Sequence, residues 1–411
     1  MKLYVATREL NPAQFSLLEH LPAKPTAFIR GGDGIVGWGE AARIESRAPS
    51  NRIQELSNRW KQLISQAEIQ DSLQLPGTGL VAFGTFAFSD SSKFASSLIV
   101  PEIILGSRDG RVWLTTISES RTAEILDVEN FWDNPVEYQT EAGVQFNNGK
   151  VSPAQFKTLV AKAIEEIAAA KFEKIVLARD IEAEVDEVFD LRNALKSLAK
   201  NYPTCWVYSV DGMFGASPEL LVRVSHSQVS ARVLAGTAGR GTDPGVDHAI
   251  STALAESAKN SAEHAFAVDS LVKSLEPFCT HVDADPKPFS LALPNLWHLA
   301  SDVYGVLRED SSVIDLAASL HPTAAVAGTP TEVAKVEIEK LEQTDRGRYA
   351  GPVGWLGSDG DGEWAIALRG AQIDGTSIRA FAGCGIVAGS EPEAELAETE
   401  LKFRPIREAL A

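Results

Sequence analysis

The sequence predicts an α+β protein with large antiparallel sheets. Short β-type runs, separated by Gly, Asp and Ser turns, recur along the chain. Helical segments lie between them but rarely in a βαβ rhythm, so a parallel sheet is not indicated. With 411 residues, 44% of them hydrophobic, the chain can bury a large core.

The elements follow in order. TAFIRG, GIVGWGEAARI, GLVAFGTFAFS, SLIVPEIILGS and RVWLTTIS read as strands within the first 145 residues. One helix, about Asn51 to Ala67, interrupts them. GVQFNNGK, near residues 143–150, is the candidate boundary between a β-rich part, 1–145, and a second region, 150–411. Val151 to Ala170 has helical periodicity, with Ser152 as N-cap and Pro153 at the first helical position. EKIVLARDIEAEV is a strand and LRNALKSLAKNY a helix; CWVYSVDG, FGASPELLVRVS and QVSARVLAGTAG are antiparallel strands. One long helix is expected over His248 to Leu275, then helices SVIDLAASLH and PTEVAKVEIEKLE. GPVGWLGS, GEWAIALRGAQID and SIRAFAGCGIVAG are the last strands, and GSEPEAELAETELK opens the last helix.

Composition excludes several classes. The net charge of −18 repels phosphate backbones, so nucleic-acid binding is not expected, although a local basic pocket can still hold a small anion. Cys205, Cys279 and Cys384 are isolated, which argues against disulfides and zinc. No apolar run is long enough for a membrane span, and MKLYVATREL is no signal peptide, so a cytoplasmic protein is expected. GTAGRGTD lacks the Gly-Lys-Ser/Thr ending of a phosphate loop, and SDGDGEW lacks the spacing of a calcium loop.

Some residue patterns could carry chemistry. On the last helix Glu391, Glu395, Glu398 and Lys402 share one stripe, while Glu393 and Glu400 point the other way. Ser390 and Glu393 have the spacing of a capping box. On helix geometry alone, a solvated face with an ordinary Glu398–Lys402 pair is the favoured reading of the stripe. Glu263 lies among Ala262, Ala265, Phe266, Ala267 and Val268, where a bare carboxylate would need a partner or a metal; pairing with Lys259 is the plain alternative. Lys174 opens an apolar strand and could lose its proton near neutral pH, or simply snorkel at a strand edge. Glu219 stands between a Ser-Pro turn and a strand, either as an acid or as a polar strand start.

The order of motifs is more specific than any one of them. KIVLAR, SPELLVR, LAGTAGRG, AEHAFAVD, LWHLASDVYG, HPTAAVAGTP, YAGPVGW, EWAIALRGA and FAGCGIVAGSEPEAELAETELK succeed one another. This succession resembles the chorismate-utilising enzymes, continuously from about residue 150 to the C-terminus. The resemblance implies a large α/β sandwich of antiparallel sheets flanked by helices, with 150–411 as the chorismate-binding catalytic region. It also implies Mg²⁺ held by Glu263 and Glu398, with Glu395 holding the metal's waters. Arg369 and Lys402 would contact substrate carboxylates. Gly236, Thr237, Gly383 and Gly385 would let backbone approach the substrate, and His298, Ala325 and Tyr349 would complete the pocket.

The family divides by nucleophile. Ala325 stands where ammonia users resemble one another in a threonine, and Lys174 matches the lysine of the water-using branch. The resemblance therefore implies isochorismate formation, with Lys174 as base toward water and Glu219 as acid toward the C4 hydroxyl. Salicylate synthase is the nearest alternative, because Tyr349 also fits that branch; anthranilate synthase component I and a non-catalytic chorismate-binding paralogue follow. Asn260 departs from the family pattern, standing where relatives often carry an acid. No glutaminase subunit is expected, and a monomer is. Menaquinone and siderophore routes are not separated, though Tyr349–Gly351 leans toward menaquinone.

Overall fold

The computed structural model describes residues 2–121, 144–185, 189–292 and 296–411. The chain forms two compact units: Met1–Glu219, His321–Ser358 and Ala365–Ala411 in one, Leu220–Leu320 and Asp359–Trp364 in the other.

The larger unit is built on a long sheet. From one edge its strands run Asn147–Asn148, Lys174–Glu184, Ser377–Ile386, Gly370–Asp374, Met213–Ser217, Trp206–Val210 and Thr26–Arg30. They continue with Asp33–Trp38, Ile103–Arg108, Arg111–Ser118, Tyr4–Leu10 and Glu68–Gln70. The last pairing is parallel, whereas strand Lys174–Glu184 runs antiparallel to Ser377–Ile386 over ten residue pairs. Two hairpins close on Asp-Gly turns, Asp109–Gly110 and Asp211–Gly212, all four residues at positive φ. This is the chemistry a two-residue turn requires when it must follow the twist of its strands. The same unit holds a second antiparallel set, Pro352–Gly357, Val81–Thr85, Ser96–Val100 and Ala42–Ser46. Val81–Thr85 and Ser96–Val100 are buried along their whole length, which is why they read as continuous rather than alternating runs.

Two helices of this unit matter for the site. Pro153–Ala168 starts as expected: the Ser152 hydroxyl accepts from Gln155 N, and the Gln155 side chain accepts from Ser152 N. Helix Pro392–Ala409 packs on strand Ser377–Ile386 and buries Thr399, Phe403 and Ile406.

In the smaller unit Leu220–Ser225, Gln228–Gly239, Leu296–Leu307 and Cys279–Ala284 pair antiparallel in that order, and Phe289–Ala292 adds to Leu296–Leu307. Helices Pro244–Glu256, Ala258–Leu275 and Val313–Leu320 belong to it.

Several expectations from sequence need correction: GIVGWGEAARI divides into Asp33–Trp38 and Ala42–Ser46, and SLIVPEIILGS into Ser96–Val100 and Ile103–Arg108. The single helix over His248 to Leu275 is two helices, because Ser257 turns extended (φ −69°, ψ 113°) and its hydroxyl caps the second by accepting from Asn260 N. FGASPELLVRVS divides at Pro218, which cannot donate to a ladder, into Met213–Ser217 and Leu220–Ser225. GEWAIALRGAQID divides at Ala367–Arg369, where Arg369 takes φ +50°. The Ser390–Glu393 capping box does not form. The N-cap is Glu391, Ser390 accepts from Val387 N, and Glu393 reaches Lys157 at 2.7 Å instead.

Candidate active site

Glu219 sits at the end of the Ser217–Pro218 turn. Its amide donates to the Ser217 hydroxyl at 3.2 Å, and its carbonyl accepts from Ile366 N at 3.1 Å. This locks the backbone at the point where the chain leaves the sheet. Burial pushes the Glu219 carboxyl above the usual range, and Lys174, Arg369 and Lys402 pull it back toward ionisation. Three cations therefore converge on one acid.

Each cation has its own support. Lys174 begins strand Lys174–Glu184 and is half-buried. A Cβ at Gly385 would lie 2.8 Å from Lys174 Cε, so the lysine stem runs where a side chain would otherwise stand. Lys402 Nζ donates to the Gly383 carbonyl at 2.7 Å and pairs with Glu398 at 2.6 Å. A Cβ at Gly383 would meet the Leu177 carbonyl at 2.7 Å, so this strand pair also admits only glycine there. Arg369 is held in a left-handed conformation uncommon for a side-chain-bearing residue. Burial works against its charge, while Tyr349, Glu398, Cys205 and Glu219 favour it. Tyr349 is buried, stacks on Phe381 with centroids 5.2 Å apart, and has its phenol pushed up to about 12 by burial.

Glu395 and Glu398 lie one turn apart on the C-terminal helix. Both are half-buried, and Glu395 is near enough to Cys384 to raise its thiol further, after burial. Glu400, on the other face, pairs with the buried Arg179 and with Arg407. Among the described residues no three His, Cys, Asp or Glu form a metal-holding cluster. Glu395 and Glu398 nonetheless suit magnesium, which takes few carboxylates and retains waters. Ala325 lies exposed in the turn before Gly328.

The remaining candidates belong to the smaller unit. Gly236 has φ +80° at a β-bulge between Ala235 and Thr237, and Thr237 is paired in register with His298. A Cβ at Gly236 would stand 3.4 Å from Asn260 Cβ. Glu263 lies on helix Ala258–Leu275. Of its neighbours in sequence, Ala262, Ala265 and Phe266 are exposed, Phe266 by 71%, while Ala267 and Val268 are half-buried.

Sequence reasoning missed His264. It is buried, with Nδ1 3.1 Å from the Ala235 carbonyl and Nε2 2.9 Å from the Ser301 hydroxyl. A carbonyl only accepts, so Nδ1 carries the proton and Nε2 accepts from Ser301. Burial lowers the imidazole pKa, in keeping with this neutral form. The ring ties helix Ala258–Leu275 to the bulge that carries Gly236. The only signal in the sequence was a histidine directly after Glu263.

The raised Glu219 pKa also makes a stability prediction. A Glu with a raised pKa keeps its proton folded while the unfolded chain ionises near the ordinary value of 4.5. Stability therefore falls as pH rises from that value up to the folded pKa. Glu219→Gln removes this loss. Its melting temperature is expected to match the parent below pH 4.5 and to exceed it above that, the difference levelling off once the folded Glu219 ionises, as read by scanning fluorimetry.

Comparison with known proteins places these residues in context. Residues 2–411 match the chorismate binding enzyme family. The chain is 36% identical over 304 residues to isochorismate synthase DhbC of Bacillus subtilis, covering 70% of this chain and 76% of that one. It is 30% identical over 401 residues to isochorismate synthase MenF of the same organism, covering 92% and 85%. The solved structure of DhbC from Bacillus anthracis aligns with a TM-score of 0.72 at 29% identity, over 96% of this chain and 98% of that one. The solved MenF of Escherichia coli shares the fold, with a TM-score of 0.77 at 23% identity over 100% and 95%.

Proposed function

The chain belongs to the family of chorismate-binding enzymes, and we propose that it is an isochorismate synthase, moving the ring hydroxyl of chorismate from C4 to C2. The observation that carries the chemistry is Glu219, half-buried at the Ser217–Pro218 turn and within electrostatic reach of Lys174. Burial favours the protonated acid, the form needed to donate to a leaving hydroxyl. Arg369 and Lys402 add two further positive charges, which suit a dicarboxylate substrate.

Lys174, neutral, accepts a proton from a water whose oxygen bonds to C2. The ring double bonds shift, the C4–oxygen bond breaks, and Glu219 donates its proton so that the oxygen leaves as water. The turnover ends with Lys174 protonated and Glu219 ionised, and proton exchange restores both. Ala325 offers no hydroxyl in the segment that, by resemblance, carries a threonine in ammonia-using relatives.

Glu263 and Glu398 would hold Mg²⁺, with Glu395 toward its waters. The ion would supply charge to the C1 carboxylate and stabilise negative charge developing on the ring. Lys402 already engages Glu398 at 2.6 Å and so would orient that carboxylate.

Chromatography of the products from chorismate tests the reading. Isochorismate is expected with Mg²⁺ and is lost with chelator. Salicylate with equimolar pyruvate would instead establish the salicylate synthase reading, and ammonium-dependent anthranilate would establish the other branch.

A further inference from the structure

Strand Lys174–Glu184 has Ser377–Ile386 along one edge. Its other edge is covered by pieces. Thr329 and Gly328 pair with Lys174 and Ile175, and Val176 N donates to the Ala327 carbonyl at 2.8 Å. Further along, Asn148 and Asn147 pair with Ile181 and Glu182. Between these short strands the edge groups are met by side chains. Ala178 N donates to Glu342 Oε1 at 2.7 Å, and Arg346 Nη2 donates to the Val176 carbonyl at 2.7 Å. Glu342 and Arg346 are themselves a buried ion pair, 2.6 and 2.9 Å between their polar atoms. Arg346 Nη1 also donates to the Val326 carbonyl at 3.1 Å.

One guanidinium thus holds two carbonyls: that of Val176, two residues after Lys174, and that of Val326, directly after Ala325. We infer that Glu342 and Arg346 are positioning residues, setting the proton-accepting lysine and the segment that carries Ala325 in fixed register with each other. This inference rests on the assignment of Lys174 as base. A buried guanidinium must satisfy its N–H groups, and this one does so on the two backbones that carry Lys174 and Ala325; a buried pair is in general weak evidence of stabilisation. Filling a ladder gap with side chains also makes the lysine end of the strand depend on a helix terminus, helix Thr331–Glu342, rather than on a continuous neighbour.

The test uses the full-length chain with chorismate and saturating Mg²⁺. Glu342→Ala would strip a buried guanidinium of its partner, and unfolding would mask the result. The isosteric Glu342→Gln and the charge-conserving Arg346→Lys therefore carry it. Both are expected to lower kcat by about 10²-fold, since misplacement of a reacting group by about an ångström has that effect. KM is expected to stay within about twofold, because neither residue belongs to the proposed carboxylate contacts. A folded Glu342→Gln with full kcat, or a loss expressed in KM alone, overturns the inference. Lys174→Ala in parallel separates the failures: if it still turns over, the base assignment fails first; if it is inactive while Glu342→Gln is not, only the positioning role fails.

Discussion

Lys174→Ala is expected to reduce chorismate turnover by about 10²- to 10⁴-fold, the range general base catalysis supplies. The fold should tolerate it. Lys174 stands at the first position of its strand and is half-buried, while the apolar residues that anchor the strand, Ile175, Leu177 and Ile181, are untouched. Removing the stem leaves Gly385 uncovered but breaks no ladder pairing, because residue 174 pairs with Thr329 through backbone register. Calorimetric titration with chorismate separates the roles: affinity within severalfold of the parent with turnover abolished is the expected pattern. An unchanged rate would remove the lysine from the reaction.

Arg369→Ala is expected to weaken chorismate binding by about 30-fold to several thousandfold, the equivalent of about 2–5 kcal/mol for truncating one partner of a buried charge pair. Here the loss should appear in KM as well as in kcat/KM. Alanine keeps a Cβ at φ +50°, so the backbone strain is the same in both proteins and the comparison isolates the guanidinium. The local backbone is firmly held. Ala216 N donates to the Arg369 carbonyl at 3.2 Å, and the Tyr208 hydroxyl donates to the Leu368 carbonyl at 3.0 Å. Arg369→Lys should fall between, retaining charge without the planar fork. If the alanine variant keeps the parental KM, the arginine does not bind substrate.

The sequence was most legible where local rules and tertiary outcome agree. Asp211–Gly212 makes the hairpin its dipeptide demands, and Ser152 with Gln155 closes the capping box that the helix start calls for. The stripe Glu395–Glu398–Lys402 survives as a half-buried face, while Glu393 and Glu400 turn to ion pairs on other elements. Lys174, Glu219, Arg369 and Lys402, scattered over more than half the chain, were grouped by motif order rather than by any local signal, and their charges do act on one another.

What stayed illegible depends on distant partners. Glu342 reaches Ala178 across 164 positions, and Arg346 reaches Val176 across 170. Nothing in PTEVAKVEIEKLE distinguishes Glu342 from its solvated neighbours until the gap in the ladder is known. Ser257 was overlooked because helical periodicity continues through it, and only its own hydroxyl, competing for the Asn260 amide, ends one helix and starts the next. The Ser217–Pro218 turn was legible, but not the passage from one compact unit to the other directly after it, between Glu219 and Leu220.

The pairing of Lys174–Glu184 with Ser377–Ile386 bears on how the chain is made. Its two strands emerge about two hundred residues apart, and at ordinary translation speeds of about 5–20 residues per second the first waits on the order of 10–40 s for the second. Throughout that interval Ile175, Val176, Leu177 and Ala178, all buried in the finished protein, lack Gly383–Ile386, and for most of it they lack Arg346 too. The nascent chain therefore carries an apolar, unpaired strand until almost its last helix has left the ribosome. Newly made protein should be more exposed to aggregation at high expression rates than the folded enzyme's stability would suggest, and slower synthesis should not relieve it.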